Sequence, residues 1–174
     1  LLFFFAGHMA TGTAAFEKFT TERSSVMIVN EEDSERLIQD RQKLLNNTDA
    51  SLPIYYRIAH GSKLDEKFVN ALIVEAKTKQ VQTIMFDSLR SIHDMDENSS
   101  KEMQSVMDEF KKITRQGITV IFTHHNRKKS QFGKSDDAES SRGSSAINAA
   151  ISGHLSVNEV VTEGEKVLLI KHLK

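Results

Sequence analysis

The fold is decided by the stretch Thr83-Ile84-Met85-Phe86-Asp87-Ser88 and by a second one further along, Thr119-Val120-Ile121-Phe122-Thr123-His124-His125. Each is a short apolar run rich in β-branched and aromatic residues, which predicts a strand and not a helix. Continuous apolar runs are typical of strands that are buried on both faces of a parallel sheet. Because ligands bind outside the carboxyl ends of such strands, we expect Asp87 and the pair His124–His125 to share a nucleotide site.

The composition is that of one globular domain. The chain has 174 residues, of which 39% are hydrophobic and 27% charged; a chain of this length buries about two-thirds of its unfolded surface. The net charge of −1 excludes a global field that attracts nucleic acid, so any such contact needs a local basic patch. The absence of cysteine excludes disulfides, thiolate zinc sites and cysteine nucleophiles. A chain without disulfides is compatible with the reducing conditions of the cytoplasm. The apolar opening 1–5 is too short to span a membrane, so we expect a cytoplasmic protein without a membrane partner.

Strands and helices alternate through the middle of the sequence, which predicts an α/β fold with a mostly parallel central sheet. The last two predicted strands follow each other across a turn near Gly164 and predict an antiparallel edge hairpin. The polar segment 126–144 is expected to be a mobile loop within one domain that covers residues 1–174. The predicted strands are 25–30, 54–58, 83–87, 119–123, 151–157 and 166–171, and the predicted helices are 1–11, 34–45, 64–77, 103–113 and the end of 140–150.

Asp87 is the first candidate for chemistry. A carboxylate at the end of a buried strand can orient water on Mg²⁺ beside a bound triphosphate. The alternative is a helix cap, because Asp-Ser is also a good capping sequence.

The acids Glu31, Glu32 and Asp33 follow the predicted strand 25–30. One of them, facing Asp87 across neighbouring strand ends, could polarise a water for attack on a γ-phosphate. The alternative is that these acids begin the next helix, whose N-terminus favours negative charge. We expect one catalytic acid, preferably Glu32, and two capping acids.

His124 and His125 end the predicted strand 119–123 and could donate to a phosphate. Adjacent strand residues point to opposite faces, so the two are not expected to bind the same metal ion. The alternative for either is a buried histidine that is satisfied by hydrogen bonds.

The segment that follows is locally basic and could contact the phosphates of a single nucleic-acid strand through Arg127, Lys128, Lys129 and Lys134. The alternative is a solvated loop. Arg142, at the end of this segment, could reach a phosphate in its own or a neighbouring subunit, or simply lie at the surface.

Four motifs in this order and spacing resemble one family, the RecA-like P-loop ATPases that contain the RepA-type plasmid replicative helicases. DnaB-type helicases and KaiC-like ATPases are similar to this group as well. The resemblance covers nearly the whole chain and implies a RecA-like three-layer fold. The motifs are Val29-Asn30-Glu31-Glu32-Asp33-Ser34, Ile84-Met85-Phe86-Asp87-Ser88-Leu89, Ile121-Phe122-Thr123-His124-His125-Asn126-Arg127-Lys128 and Ser141-Arg142-Gly143-Ser144-Ser145-Ala146.

The resemblance also implies roles for individual residues. Glu32 resembles the catalytic glutamate, and Asp87 resembles the Walker B aspartate, with Ser88 beside the cofactor. His125, with His124 as its neighbour, resembles the phosphate-sensing position. Arg142 and the strand end 171–174 fall where such proteins reach a neighbouring subunit's nucleotide. The implied cofactors are ATP and Mg²⁺, and the implied partners are further copies of the chain in a ring, as a hexamer, and single-stranded DNA in its central channel.

The family's phosphate loop, Gly-x-x-x-x-Gly-Lys-[Ser/Thr], is absent in working form. The segment 7–14 keeps both glycines but has Thr13 in place of the lysine and Ala14 in place of the hydroxyl residue, and the segment 133–135 lacks the required glycine at position 128. One interpretation is a degenerate loop after a strand 1–5. The favoured interpretation is that residues 1–11 form the helix after the loop, and that the chain is truncated upstream of residue 1 and also after residue 174.

Three functions follow as hypotheses. The first is an ATP-hydrolysing motor core of a ring-forming replicative helicase. The second is a KaiC-like or recombinase-like ATPase with another client, and the third is a non-hydrolysing pseudo-ATPase subunit. Without the loop, the β- and γ-phosphates lose their main anchors, so we expect residues 1–174 alone to bind ATP poorly and to hydrolyse none.

Overall fold

A computed structural model describes residues 1–58, 61–125, 145–162 and 164–174 of the chain. The chain divides into two compact units, Leu1–Asp94 with Asp108–His124 and Met95–Met107 with His125–Lys174. None of the helices in the described ranges is long and apolar enough to cross a membrane. The elements are α1 (Leu2–Thr11), β1 (Val26–Asn30), α2 (Glu35–Leu44), β2 (Ile54–Ile58), α3 (Glu66–Thr78), β3 (Thr83–Asp87), a short 3₁₀ turn (Arg90–Ile92), α4 (Ser100–Thr114), β4 (Thr119–Phe122), α5 (Ser145–Ala150), β5 (Leu155–Thr162) and β6 (Glu165–His172).

The first unit is built on a four-stranded sheet in the order β2-β1-β3-β4. Every neighbouring pair in it is parallel, which confirms the predicted α/β class with its parallel sheet. The register places Asn30 of β1 opposite Asp87 of β3. The carboxyl ends of these two strands therefore lie side by side.

The central strands are buried, which explains their uninterrupted apolar sequence. All of β1 and the first four residues of β3 are buried, as expected for strands covered on both faces. Aromatic packing joins β3, α4 and β4, since the ring of Phe110 lies 5.0 Å from that of Phe86 and is stacked on Phe122 at 5.4 Å. Such pairs add to the stability that burial alone supplies.

Helix α2 begins after the three acids that follow β1. Its N-cap is Ser34, whose hydroxyl accepts a hydrogen bond from the Leu37 amide. The expectation that two of the acids Glu31, Glu32 and Asp33 cap this helix is therefore wrong, because the serine takes the capping position. All three acids lie in the turn between β1 and α2.

Helix α1 confirms the interpretation of residues 1–11 as a helix. Its buried residues Leu2, Phe3, Ala6 and Ala10 recur at helical spacing. It ends at Gly12, whose left-handed backbone (φ 73°) lets its amide donate to the carbonyl of His8. The alternative of a strand 1–5 followed by a degenerate phosphate loop is wrong, because residues 7–11 are helical.

The second unit contains the predicted antiparallel hairpin, which forms a two-stranded sheet of its own. The first of its strands was predicted at 151–157 but runs from Leu155 to Thr162. The error arises because Ile151 continues the apolar pattern of α5, and its amide donates to the carbonyl of Ile147. The register pairs Thr162 with Glu165, and Gly164 between them has φ 86°.

Candidate functional site

The candidate site lies where β1 and β3 end. The turn that leaves β1 stays against β3, since the Glu31 amide donates to the Asp87 carbonyl at 3.4 Å. On the other side, the end of β4 is joined to β3: the Thr123 amide donates to the Phe86 carbonyl at 3.0 Å, and the Leu89 amide donates to the Thr123 carbonyl at 2.9 Å. Three chain segments are thus held at one edge of the sheet.

Asp87 is oriented by two neighbouring side chains. Its Oδ1 accepts a hydrogen bond from the Thr123 hydroxyl at 2.7 Å, and its Oδ2 accepts one from the Asn30 amide nitrogen at 3.4 Å. The peptide bond between Asp87 and Ser88 is cis. The alternative role of Asp87 as a helix cap is not what the structure shows, because the 3₁₀ turn begins at Arg90 with Leu89 at its N-cap.

Glu32 contacts the residue that follows Asp87. The hydroxyl of Ser88, which is buried, donates to Oε1 of Glu32 at 2.5 Å. Ser88 is itself held by Ser91, whose hydroxyl accepts from the Ser88 amide at 3.0 Å and donates to the Ser88 carbonyl at 2.8 Å. The expected meeting of Glu32 with the end of β3 is therefore present in the structure.

The two other acids of the turn have different partners. Oε2 of Glu31 accepts from the amide of Gly61 at 2.7 Å. Asp33 forms an ion pair with Arg41 of α2. Of the three acids, Glu32 is thus the one whose carboxylate bonds directly to the end of β3, which distinguishes it from Glu31.

The charge at this edge is only partly neutralised. Within the described ranges, no lysine or arginine lies within ion-pair distance of Glu32 or Asp87. Both carboxylates accept hydrogen bonds from neutral hydroxyl and amide groups instead. Among the residues that the structure describes, this arrangement leaves negative charge at the strand ends, where a cation can bind.

The comparison with known families agrees with this geometry. The sequence model of the AAA domain family matches residues 1–131 of the chain. The chain belongs to the AAA domain family. A search of curated proteins finds no match. Family membership identifies the chain as a nucleotide-binding domain of the ATPase type.

The acidic edge of this AAA domain fits Mg²⁺ that is held through water. No group of three or more His, Asp or Glu side chains in the described ranges forms a cage for a metal ion. Mg²⁺ keeps most of its water shell and is bound through one or two carboxylates together with substrate phosphates. Asp87, with both carboxylate oxygens oriented by hydrogen bonds, matches that requirement.

The two histidines of the AAA domain follow β4 directly. His124 is half-buried and His125 is exposed. Their phosphate-sensing role stays a prediction. The other predicted site residues lie outside the described residues: Arg127, Lys128, Lys129, Lys134 and Arg142.

Lys174, at the chain end that the resemblance assigns to a neighbouring nucleotide, has partners in its own unit. Its ammonium donates to the carbonyls of Asn148 and Ile151 at 2.8 and 2.7 Å. It therefore covers the last turn of α5, where a cation is stabilising.

Two residues of the site have no role in the sequence-based prediction, namely Asn30 and Thr123. The sequence does carry a signal for both, because each is a polar residue that directly ends an apolar strand. Polar residues at the carboxyl ends of neighbouring parallel strands meet at one edge and can orient each other's side chains.

Proposed function

We propose that the chain is the ATP-hydrolysing motor core of a ring-forming DNA helicase of the replicative type, acting in the cytoplasm. In this proposal Mg·ATP binds at the carboxyl ends of β1, β3 and β4, between two subunits of a hexamer. The observation that supports ATP hydrolysis is the hydrogen bond of 2.5 Å that holds the carboxylate of Glu32 against Ser88, next to Asp87. A family of nucleotide-binding domains that matches three-quarters of the chain supports the ATPase part.

The proposed chemistry assigns one task to each group. Glu32 accepts the proton of the water that attacks the γ-phosphate, while the bond from that phosphorus to the leaving oxygen of ADP breaks. Mg²⁺, when bound, neutralises charge that develops on the β- and γ-phosphates. Asp87 holds the waters of that ion, and His125, with His124 as its neighbour, donates to the phosphate. Arg142 reaches the nucleotide of a neighbouring subunit.

The ATPase proposal can be tested through the phosphate loop, because ATP binding and hydrolysis depend on its presence. Residues 7–11 belong to α1, so the segment 7–14 is for the most part helix. We expect residues 1–174 to bind Mg·ATP weakly in a calorimetric titration, whereas the full-length protein, if a phosphate loop precedes residue 1, should bind and hydrolyse it. Micromolar affinity of residues 1–174 would contradict this expectation.

A pseudo-ATPase subunit is the second candidate, and the missing Gly-x-x-x-x-Gly-Lys-[Ser/Thr] sequence is the observation that favours it. The encoded residues upstream of Leu1 discriminate between the two. A Gly-Lys-Thr or Gly-Lys-Ser sequence there supports the motor, and an unrelated sequence supports the pseudo-ATPase.

The ring predicts that turnover depends on protein concentration. A nucleotide that lies between subunits needs a neighbour for hydrolysis, so ATP turnover per subunit should fall when the full-length protein is diluted. Turnover per subunit that is unchanged by dilution would contradict the ring.

Binding of single-stranded DNA is the property that distinguishes a helicase from a KaiC-like ATPase. We propose that Arg127, Lys128, Lys129 and Lys134 contact its phosphates. Replacing the first three by alanine should weaken binding and reduce the slope of log affinity against log salt by about 2 to 3. Binding that is unchanged in affinity and salt dependence would exclude this segment from the DNA interface.

A further inference from the structure

We propose that Asn30 is the positioning residue of the site, and that it fixes the turn carrying Glu32 to the end of β3. This inference rests on the proposed function, since it concerns the residue to which that function assigns the proton transfer. Asn30 is the last residue of β1 and is fully buried, with an exposed fraction of 0%.

The carbonyl oxygen of the Asn30 side chain shapes the turn. Its Oδ1 accepts hydrogen bonds from the amide of Glu32 at 3.0 Å and from the amide of Asp33 at 2.8 Å. An asparagine that bonds the backbone two and three residues ahead fixes a local turn. The position of the Glu32 backbone is thus set by the side chain of Asn30.

The amide nitrogen of the same side chain joins this turn to the neighbouring strand. Its Nδ2 donates to Oδ2 of Asp33 at 3.0 Å and to Oδ2 of Asp87 at 3.4 Å. Asp33 is in turn fixed by its ion pair with Arg41. One side chain therefore links the Glu32 turn, helix α2 and the carboxylate assigned to Mg²⁺.

The hydrogen-bonding capacity of Asn30 is fully used. A side-chain amide offers two acceptor sites and two donor hydrogens, and all four have partners here. Its orientation is also determined, since two amides face one atom and two carboxylates face the other. Of the natural side chains, this one supplies both the acceptor and the donor at this length, whereas aspartate supplies only acceptors.

The consequence is that Glu32 is held from two directions. Asn30 fixes its backbone and Ser88 fixes its carboxylate at 2.5 Å. Groups that are held in place before the substrate arrives need no reorganisation during the reaction, and a misplacement of 1 Å can cost about 100-fold in rate.

The test compares three variants of the full-length protein. Asn30→Ala removes all four hydrogen bonds. Asn30→Asp keeps the shape and both acceptor bonds, but places an oxygen against the carboxylates of Asp33 and Asp87. Asn47→Ala is the matched control, because it removes an asparagine hydrogen bond in the same unit, from Nδ2 to the carbonyl of Phe3 at 3.1 Å, without contact to the site.

Two measurements are made on each variant: steady-state ATP hydrolysis, and hydrogen exchange of the Glu32 and Asp33 amides. We expect Asn30→Ala to lower kcat by about 100-fold with little change in KM, and to speed exchange of both amides. Asn30→Asp should lower kcat but retain slow exchange, and it serves as the test if the alanine variant does not fold. Asn47→Ala should change neither.

The outcomes separate the inference from the proposed function. An Asn30→Ala variant with the kcat and the exchange rates of Asn47→Ala would overturn the positioning role. A wild-type full-length protein that hydrolyses no ATP would overturn the proposed function, while exchange of the two amides would still show whether Asn30 orders the turn. For Asn30→Ala, loss of kcat with unchanged exchange of these amides would also contradict the inference, since the effect would not act through the Glu32 turn.

Discussion

Two groups of charges in the same unit are built in opposite ways. On the β2 side of the sheet, Glu75 of α3 lies between Arg57, whose nitrogen is 2.6 Å away, and Lys79, at 2.8 Å; we call these three residues the compensated cluster. At the carboxyl ends of β1 and β3, Glu32 and Asp87 accept hydrogen bonds from serine, threonine and asparagine, and no cation within the described ranges pairs with them.

The difference shows which charges are available to a ligand. In the compensated cluster, one carboxylate faces two cations, so its charge stabilises the contact between α3 and β2. At the strand ends, neutral donors hold the carboxylates in place without neutralising them. Perturbation of the strand ends should therefore change activity, and perturbation of the compensated cluster should change stability.

The largest effect is expected from Glu32→Gln. The amide keeps the size of the side chain but accepts no proton from the attacking water, so ATP hydrolysis by the full-length protein should fall by about 100-fold or more. Nucleotide affinity should change little, as measured by equilibrium titration. The matched control is Glu75→Gln, the same chemical change in the compensated cluster, which should leave kcat within about twofold. Equal losses of kcat in the two variants would remove the distinction between the clusters.

Asp87→Asn should weaken the dependence of nucleotide binding on Mg²⁺. The variant keeps the size of the side chain and its ability to form hydrogen bonds, but it loses the negative charge that faces the ion. We therefore expect Mg·ATP affinity to fall by about tenfold or more. Affinity for ATP without Mg²⁺ should be nearly the same as in wild type. A parallel titration with and without Mg²⁺ measures both, and an equal loss in the two would contradict a role for Asp87 toward the ion.

Thr123→Val should have a smaller effect on turnover. It removes the hydrogen bond of 2.7 Å to Oδ1 of Asp87 while preserving the shape of the side chain. We expect kcat to fall by about tenfold, because Asp87 keeps its bond to Asn30 and loses only part of its orientation. Steady-state kinetics test this, and Thr123→Ser, which keeps the hydroxyl, should restore most of the rate.

The compensated cluster should contribute to stability in a pH-dependent way. Partial burial alone raises the pKa of Glu75, but hydrogen bonds and charges from Lys79 and Arg57 outweigh it and leave the pKa below its usual 4.5. Because the folded-state pKa is lowered, the stabilisation is present above pH 4.5 and is lost as the pH falls through the folded-state value.

Glu75→Gln should accordingly lower the free energy of unfolding by about 1 kcal/mol at pH 7. The difference from wild type should shrink as the pH falls below the usual pKa of 4.5 and through the lower folded-state pKa. Urea unfolding at neutral pH and over this acidic range measures it. A difference that is constant with pH would show that the carboxylate charge does not stabilise the fold. The matched control is Glu32→Gln, which removes a carboxylate without breaking an ion pair.

A helix or strand can be predicted from the sequence where its own residues carry a clear pattern. The strand at 83–87 is predictable because a buried parallel strand reads as a continuous apolar run. The strand at 54–58 is only half-buried and contains Arg57, and it is predictable from its isoleucine and tyrosine residues, which favour strands. The start of β5 is not, since Ile151 is equally compatible with the end of a helix and the start of a strand, and only the bond of its amide to the Ile147 carbonyl decides.

The sequence predicts which strand ends form the candidate site, but not the hydrogen bonds between the side chains that lie there. The sequence indicates that Glu32 directly follows one strand and that Asp87 ends another, and the carboxyl ends of parallel strands meet at one edge. It does not indicate that Asn30 bonds to both the turn and Asp87, or that Glu31 points to Gly61 while Glu32 points to Ser88. Those choices depend on strand register and side-chain direction, which no single segment encodes.

The central claim is that the nucleotide and its cation bind at the acidic strand ends and not at other charged groups. The most direct measurement is the paramagnetic broadening of backbone amide resonances of residues 1–174 during titration with Mn·ATP, which detects weak binding. We expect the amides of Glu32 and Ser88 to broaden first and those of Glu75 and Lys79 to stay sharp. Broadening that is equal at the two clusters, or that spares Glu32 and Ser88, would contradict the account.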